Sequence, residues 1–204
     1  MEDIKMAGAQ KKVEPLKDNP NVVRATFRAP HYEQAYGTYL LGKLSNILFP
    51  GVLPKALAFG QRDSGEYYMD LERLPLDAMH LNMQAERNRS EMSKKALAKL
   101  AAEHNAHEIT YYKHVRGEQF EARMDISASF RDAGLPFDSY PFNWTFAEGR
   151  LRNVDMKAPW IDPDNRKGRH FDPEKIRAKI ATLNSAEEQR QAAVLLEELL
   201  ALEK

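Results

Sequence analysis

The sequence predicts an α+β fold: a small antiparallel sheet with one helix, followed by a mainly helical C-terminal part. Three observations predict it. Runs rich in β-branched and aromatic residues, bounded by turn residues, fall before Pro75. One strongly periodic helical stretch lies among them, from His31 to Phe49. After Pro75 the pattern is helical in long stretches, interrupted by a polar loop and a short hairpin between Asp138 and Asp155.

Asn21 to Arg28, with Val22, Val23, Thr26 and Phe27, reads as a strand that Pro30 ends. From His31 to Phe49 the residues Tyr36, Leu40, Leu44, Ile47 and Leu48 recur at helical steps, the mark of one buried face. Pro50-Gly51 stops that helix. Leu57 to Gly60 and Glu66 to Leu71, joined by Gln61-Arg62-Asp63-Ser64-Gly65, read as a β-hairpin. Met69 to Pro75 then ends in a proline and leads into the second half. Ser90 to about Asp125 is a long helical region with Met92, Ala96, Leu97, Leu100 and Ala101 on one face. At the end, Ser185-Ala-Glu-Glu188 is a capping box that opens a leucine-rich helix. Ala193, Leu196, Leu199 and Leu200 form its apolar stripe, with Val194, Leu195 and Leu202 widening it. That stripe has to be covered, by the C-terminal part of the chain or by a partner.

Composition narrows the function classes. The 204 residues suffice for one large domain or two small lobes, and 43% hydrophobic with 29% charged content is that of a soluble globular protein. Thirty basic residues balance thirty acidic ones, and no aromatic residues interleave with basic ones. Both facts speak against nucleic acid as a partner. The absence of cysteine excludes disulfides and thiolate metal sites. No apolar run approaches the ~20 residues that span a bilayer, and Met-Glu-Asp-Ile-Lys lacks the features of a signal peptide. The expectation is a cytoplasmic protein with no membrane partner.

The chemistry concentrates in Asp138-Ser-Tyr-Pro-Phe-Asn143 and in Asp155 of Asn153-Val154-Asp155. An Asp, an Asn five residues on and a second Asp after a short hairpin make the polar skeleton of a phosphoryl-transfer site. One carboxylate orients the attacking hydroxyl, while the carboxamide and the second carboxylate hold magnesium against the nucleotide phosphates. The hairpin, Trp144-Thr145-Phe146 and Leu151 to Asp155 around Ala147-Glu148-Gly149-Arg150, returns the chain to where the loop began.

This pattern resembles the catalytic half of the protein-kinase-like and aminoglycoside-phosphotransferase-like superfamily. Asp138, Pro141 and Asn143 match its catalytic loop, and the hairpin ending in Asp155 matches the segment carrying its metal-binding aspartate. The upstream order of strand, helix and hairpin is that of the family's small lobe. Pro136 stands where the family has His or a similar residue, and Met156-Lys157 replaces its Phe-Gly. The resemblance implies a kinase-like two-lobe fold, with a small N-terminal lobe at 1–75 and a mainly helical C-terminal lobe at 76–204. It implies an ATP- and magnesium-dependent phosphotransferase acting on a hydroxyl of an unknown acceptor. Asp138 would be catalytic, with Asn143 and Asp155 as metal ligands. Arg24 stands in the position most like the family's phosphate-contacting lysine, and Glu33 is its helix carboxylate. Glu72 and Leu74 lie in the hinge that binds adenine through backbone groups. In the first twenty residues only Ala7-Gly8-Ala9 could serve as the phosphate-covering loop. The alternative is a non-catalytic, pseudokinase-like binding or scaffold protein.

Three further clusters read as scaffold. His104, His107 and His114 share one helical stripe, a spacing that zinc can use, but no ligand from elsewhere joins them. Asp162-Pro-Asp164-Asn165-Arg-Lys-Gly168 has the look of a calcium loop, yet Arg166 takes a ligand position and no closing Glu follows. Lys157, Arg166, Lys167, Arg169 and His170 are interspersed with Asp162, Asp164 and Asp172, the pattern of a solvated loop.

Overall fold

The strand expected near Val22 lies at the centre of the sheet. The computed structural model describes residues 6–7, 11–28, 31–76, 119–138, 143–155 and 171–202. Among them the chain runs β1 (Met6–Ala7), β2 (Lys11–Leu16), β3 (Asn19–Phe27), α1 (Tyr32–Leu48), β4 (Ala56–Gln61) and β5 (Tyr67–Glu72). It continues as α2 (Gln119–Asp132), β6 (Trp144–Ala147), β7 (Arg150–Asn153), α3 (Pro173–Ala181) and α4 (Ala186–Leu202). The fold is α+β. The first five strands form one antiparallel sheet in the order β1-β2-β3-β5-β4, and β6 and β7 pair separately.

Strands β1 and β2 were not anticipated. Lys11-Lys12-Val13-Glu14-Pro15-Leu16 carries charges and a proline, so its alternation is faint in sequence. It forms because β3 offers a full ladder, from Lys11 opposite Phe27 to Pro15 opposite Val23, with the register shifting after Pro15. Residues in register on antiparallel strands share a face. One face therefore carries Lys11, Val13, Ala25, Phe27, Met69 and Leu71; the other carries Glu14, Arg24 and Asp70.

The first of these faces meets α1. Helix α1 begins after His31, whose carbonyl accepts from the Ala35 amide, and closes at Phe49, whose amide donates to Ser45. Pro50-Gly51 ends it as expected, Gly51 sitting at φ 80°, where a side chain would be strained and would also strike Arg150. A single buried face was expected for α1. Its buried residues instead include Ala35, Thr38, Leu40, Leu41, Leu44, Ser45 and Leu48, because the sheet covers one side and α4 another.

Helix α4 shifts the expected stripe. Ala192, Leu195, Leu196 and Leu199 are buried, a clean i, i+3, i+4, i+7 set, while Ala193 is exposed and Val194 is 53% exposed. Its partner is also a correction: α4 packs chiefly on α1, not on the C-terminal part. One core consequently runs from Ala25, Phe27 and Met69 through Leu40 and Leu44 to Phe130, Ile176, Leu196 and Leu199. Each such fully buried aliphatic or aromatic side chain contributes about 1.5–3 kcal/mol. The Ser185 hydroxyl accepts from the Glu188 amide at 3.3 Å, one half of the expected capping box.

Helix α2 extends to Asp132, beyond the expected end near Asp125, and Phe130 in this extension is fully buried. Gly134, at φ 75°, stops it: the Gly134 and Leu135 amides donate to the Arg131 and Phe130 carbonyls. The Gly134 carbonyl in turn accepts from Asp172, whose side chain caps α3. The His104, His107 and His114 stripe, the calcium-like loop and the basic cluster after Met156 lie outside the described residues. Among the described residues no helix is long and apolar enough to cross a membrane.

Candidate active site

The β6–β7 hairpin forms because Glu148 and Gly149 both take positive φ, 54° and 74°, the pair of angles that matches a tight turn to the twist of its strands. Its ladder runs from Ala147 opposite Arg150 to Trp144 opposite Asn153. Beyond the ladder the Val154 amide donates to the Asn143 carbonyl at 2.7 Å, so Asn143 stands one residue out of step from Asp155. The hairpin thus brings the Asn143 backbone to Val154, the residue before Asp155.

Asp138 arrives by a different route. Phe137, beside it, lies 4.2 Å from Phe130 and 5.6 Å from Trp144 between ring centroids, and Phe130 stacks on Phe49 at 4.3 Å. This aromatic column ties the end of α1, helix α2, the Asp138 segment and the hairpin into one unit. Asn153, which is fully buried, then joins the carboxylate segments directly. Its Nδ2 donates to the Asp138 carbonyl at 2.7 Å and its Oδ1 accepts from the Asp155 amide at 2.8 Å. Asp138 and Asp155 line one small cavity with Gly42 and Ser45 of α1 and with Pro136. Its volume of about 10 Å³ is near the space one water needs.

Asp155 meets a cation. The Lys11 ammonium lies 3.1 Å from its Oδ1, with the side chains 13% and 23% exposed, and the Lys11 Nζ sits 6.0 Å from the Phe27 ring centre. Three segments distant in sequence, at 11, 138 and 155, therefore converge. Sequence reasoning missed Lys11 and Asn153. Lys11 belongs to a strand too faint to read, and a buried asparagine leaves no mark in a pattern of apolar positions.

Arg24 is placed elsewhere. It sits on the sheet face opposite to Lys11, opposite Asp70 in register, and holds that carboxylate with two hydrogen bonds of 2.7 and 2.8 Å. The Asp70 hydrogen bond raises the Arg24 pKa, against a smaller opposing effect of burial. The guanidinium also lies over the Tyr68 ring at 3.8 Å. The expected pairing with Glu33 is replaced by this one: a strand partner in register is nearer than a residue in the first turn of α1, and Glu33 is exposed.

At the end of β5, Leu74 is buried. The Glu72 carboxylate binds Arg152 of β7, with the shorter contact at 2.8 Å, and accepts from the Lys55 amide at 3.1 Å. Burial pushes the Glu72 pKa up, but the Arg152 and Lys55 hydrogen bonds outweigh it and hold the group below its usual value. Arg152, only 2% exposed, also donates to the Leu53 carbonyl, and the Thr145 hydroxyl donates to the Pro75 carbonyl. The hairpin is thereby fastened to the segment leaving the sheet. Residues 8–10, which link β1 to β2 and include the expected glycine, are outside the described residues, as are 139–142 between Asp138 and Asn143.

No protein-family model matches this chain, and no curated protein matches it. Among solved structures, the GDP complex of a mutant aminoglycoside 2'-phosphotransferase IIIa is similar at a TM-score of 0.31 and 11% identity, over 97% of this chain and 84% of that one.

Proposed function

We propose that the chain is a kinase-like phosphotransferase that uses ATP and magnesium to phosphorylate an acceptor hydroxyl. The observation that carries this reading is the convergence of Lys11, Asp138 and Asp155, held through the Lys11–Asp155 ion pair and the two Asn153 hydrogen bonds. The donor set fits a hard cation. Asn143 and Asp155 offer oxygen ligands, and Asp155 already holds a positive charge, the Lys11 ammonium. Asn143 and Asp155 would hold magnesium, whose charge would offset that of the nucleotide phosphates. So few protein oxygens suffice, since magnesium is commonly held by one or two carboxylates together with substrate phosphates.

In this reading Asp138 accepts the hydrogen bond of the acceptor hydroxyl and aims it. Lys11 takes the phosphate contact expected of Arg24, since it shares the sheet face that meets α1 and Asp155, while Arg24 is committed to Asp70 on the other. Adenine lies along the chain leaving β5, beside Glu72 and Leu74; the Glu72 amide is committed to the Lys55 carbonyl and its carboxylate to Arg152, so the backbone contact falls to the segment from Leu74 on. In this reading the N-terminal lobe is 1–75 and the C-terminal lobe 76–204, sharing one core in which α4 packs on α1, in a cytoplasmic enzyme.

The test is thermal denaturation with and without ATP and magnesium. A ligand at a hundred times its dissociation constant stabilises by about 2.7 kcal/mol. Asp155→Ala should abolish the magnesium-dependent part of the shift, and Asp138→Ala should keep nucleotide binding while losing transfer. No shift at millimolar nucleotide sinks the proposal and leaves a scaffold protein, for which the Lys11–Asp155 pair would be a structural tie.

A further inference from the structure

We infer that Asn153 is the positioning residue of this site, a buried carboxamide that sets the separation of Asp138 and Asp155 and turns Asp155 toward its cation. The inference rests on the phosphotransferase reading. Asn153 stands two residues before Asp155 and fifteen after Asp138, and its side chain is bonded to both. The hairpin ladder alone cannot do this. It ends at Trp144 opposite Asn153, and its continuation reaches Asn143 and Val154, not the chain at Asp138. The aromatic column through Phe137 and Trp144 brings that segment near, but ring packing tolerates sliding, whereas two hydrogen bonds from one planar amide do not.

The chemistry of the side chain is specific. An asparagine donates from one end and accepts at the other, and here the donor faces a carbonyl and the acceptor faces an amide. An aspartate in its place keeps the acceptor toward the Asp155 amide but sets a second oxygen against the Asp138 carbonyl. A serine can bond the Asp155 amide, as such hydroxyls do two residues upstream, but is too short to reach Asp138. Both changes free the Asp138 segment from Asp155 without touching either carboxylate.

Magnesium is titrated into wild type, Asn153→Asp and Asn153→Ser at saturating non-hydrolysable ATP analogue, with melting temperature as the readout, alongside metal-free analogue. In both variants the analogue alone should give the wild-type shift, while the magnesium concentration at half effect rises at least roughly tenfold, the scale seen when a group supporting a metal ligand is lost. A variant that melts earlier without ligand yet keeps the wild-type magnesium midpoint overturns the inference, since that is what a purely structural asparagine would do. If Asn153→Asp does not fold, Asn153→Ser decides. Wild type that ignores the nucleotide overturns the phosphotransferase reading and the role of Asn153 with it. Wild type that responds, with variants of unchanged magnesium midpoint, overturns only the role of Asn153.

Discussion

Two ion pairs sit on opposite faces of the same sheet and differ in what they join. Arg24–Asp70 links neighbours in register on β3 and β5, so it adds to a ladder already made by the backbone. Lys11–Asp155 links residues 144 apart in sequence, from the edge side of the sheet to the end of the distant hairpin. The first follows from strand pairing; the second exists only once the whole core has assembled. That pair closes a long loop at the small cavity that Asp138 also lines. Arg152–Glu72 resembles the second kind, because it too fastens the hairpin to the sheet, but its guanidinium is almost fully buried.

That burial makes Arg152 the site of the largest expected effect. Arg152→Ala should cost about 3–5 kcal/mol in urea denaturation, the range for breaking a buried pair by removing one partner. A loss below about 1 kcal/mol would mean that the hairpin is held by Trp144 and Thr145 without it.

Lys11→Met tests the functional half of the comparison. Nucleotide affinity should fall roughly a hundredfold, about 2.7 kcal/mol, with a stability loss without ligand of about 1 kcal/mol. If Arg24→Met loses nucleotide binding and Lys11→Met does not, the two faces have been assigned the wrong way round.

Glu72→Gln should cost roughly 2 kcal/mol at pH 7, less than a fully buried pair because Glu72 is 28% exposed. The sign follows from its lowered pKa. The contribution is fully present above the unfolded value of 4.5 and is lost as pH falls through the lower folded value. Wild type and variant should therefore converge in stability once pH has fallen below the folded value, and a gap that persists in acid would assign the effect to packing.

The smallest effect is expected for Arg24→Met, about 1 kcal/mol, since the pair is partly exposed and the ladder survives it. A loss of several kcal/mol would show that Arg24 organises the sheet instead of decorating it.

Much of the fold was legible because its signals are local. The β-branched run in β3, the helical period of α1 closed by Pro50-Gly51, the β4–β5 hairpin and the Glu148-Gly149 turn each depend on neighbours in sequence. Strand β2 was not legible, because charges and a proline leave its pairing to β3. Near the candidate site, the hairpin between Asn143 and Asp155 was readable from its turn residues and short strands. Lys11 and Asn153 were not, since their partners are set by core packing and hydrogen bonding across distant segments.

The sequence by itself determined an α+β chain, the elements near β3, α1 and the two hairpins, and the spacing of Asp138, Asn143 and Asp155, because periodicity, turn chemistry and short loops act over a few residues. Only the tertiary structure decided which face of the sheet each charge occupies, that α4 closes on α1, and that Lys11 rather than Arg24 meets Asp155. Strand register fixes sidedness, and a one-residue slip would exchange the two faces. Register, in turn, is chosen by the core that the whole chain buries.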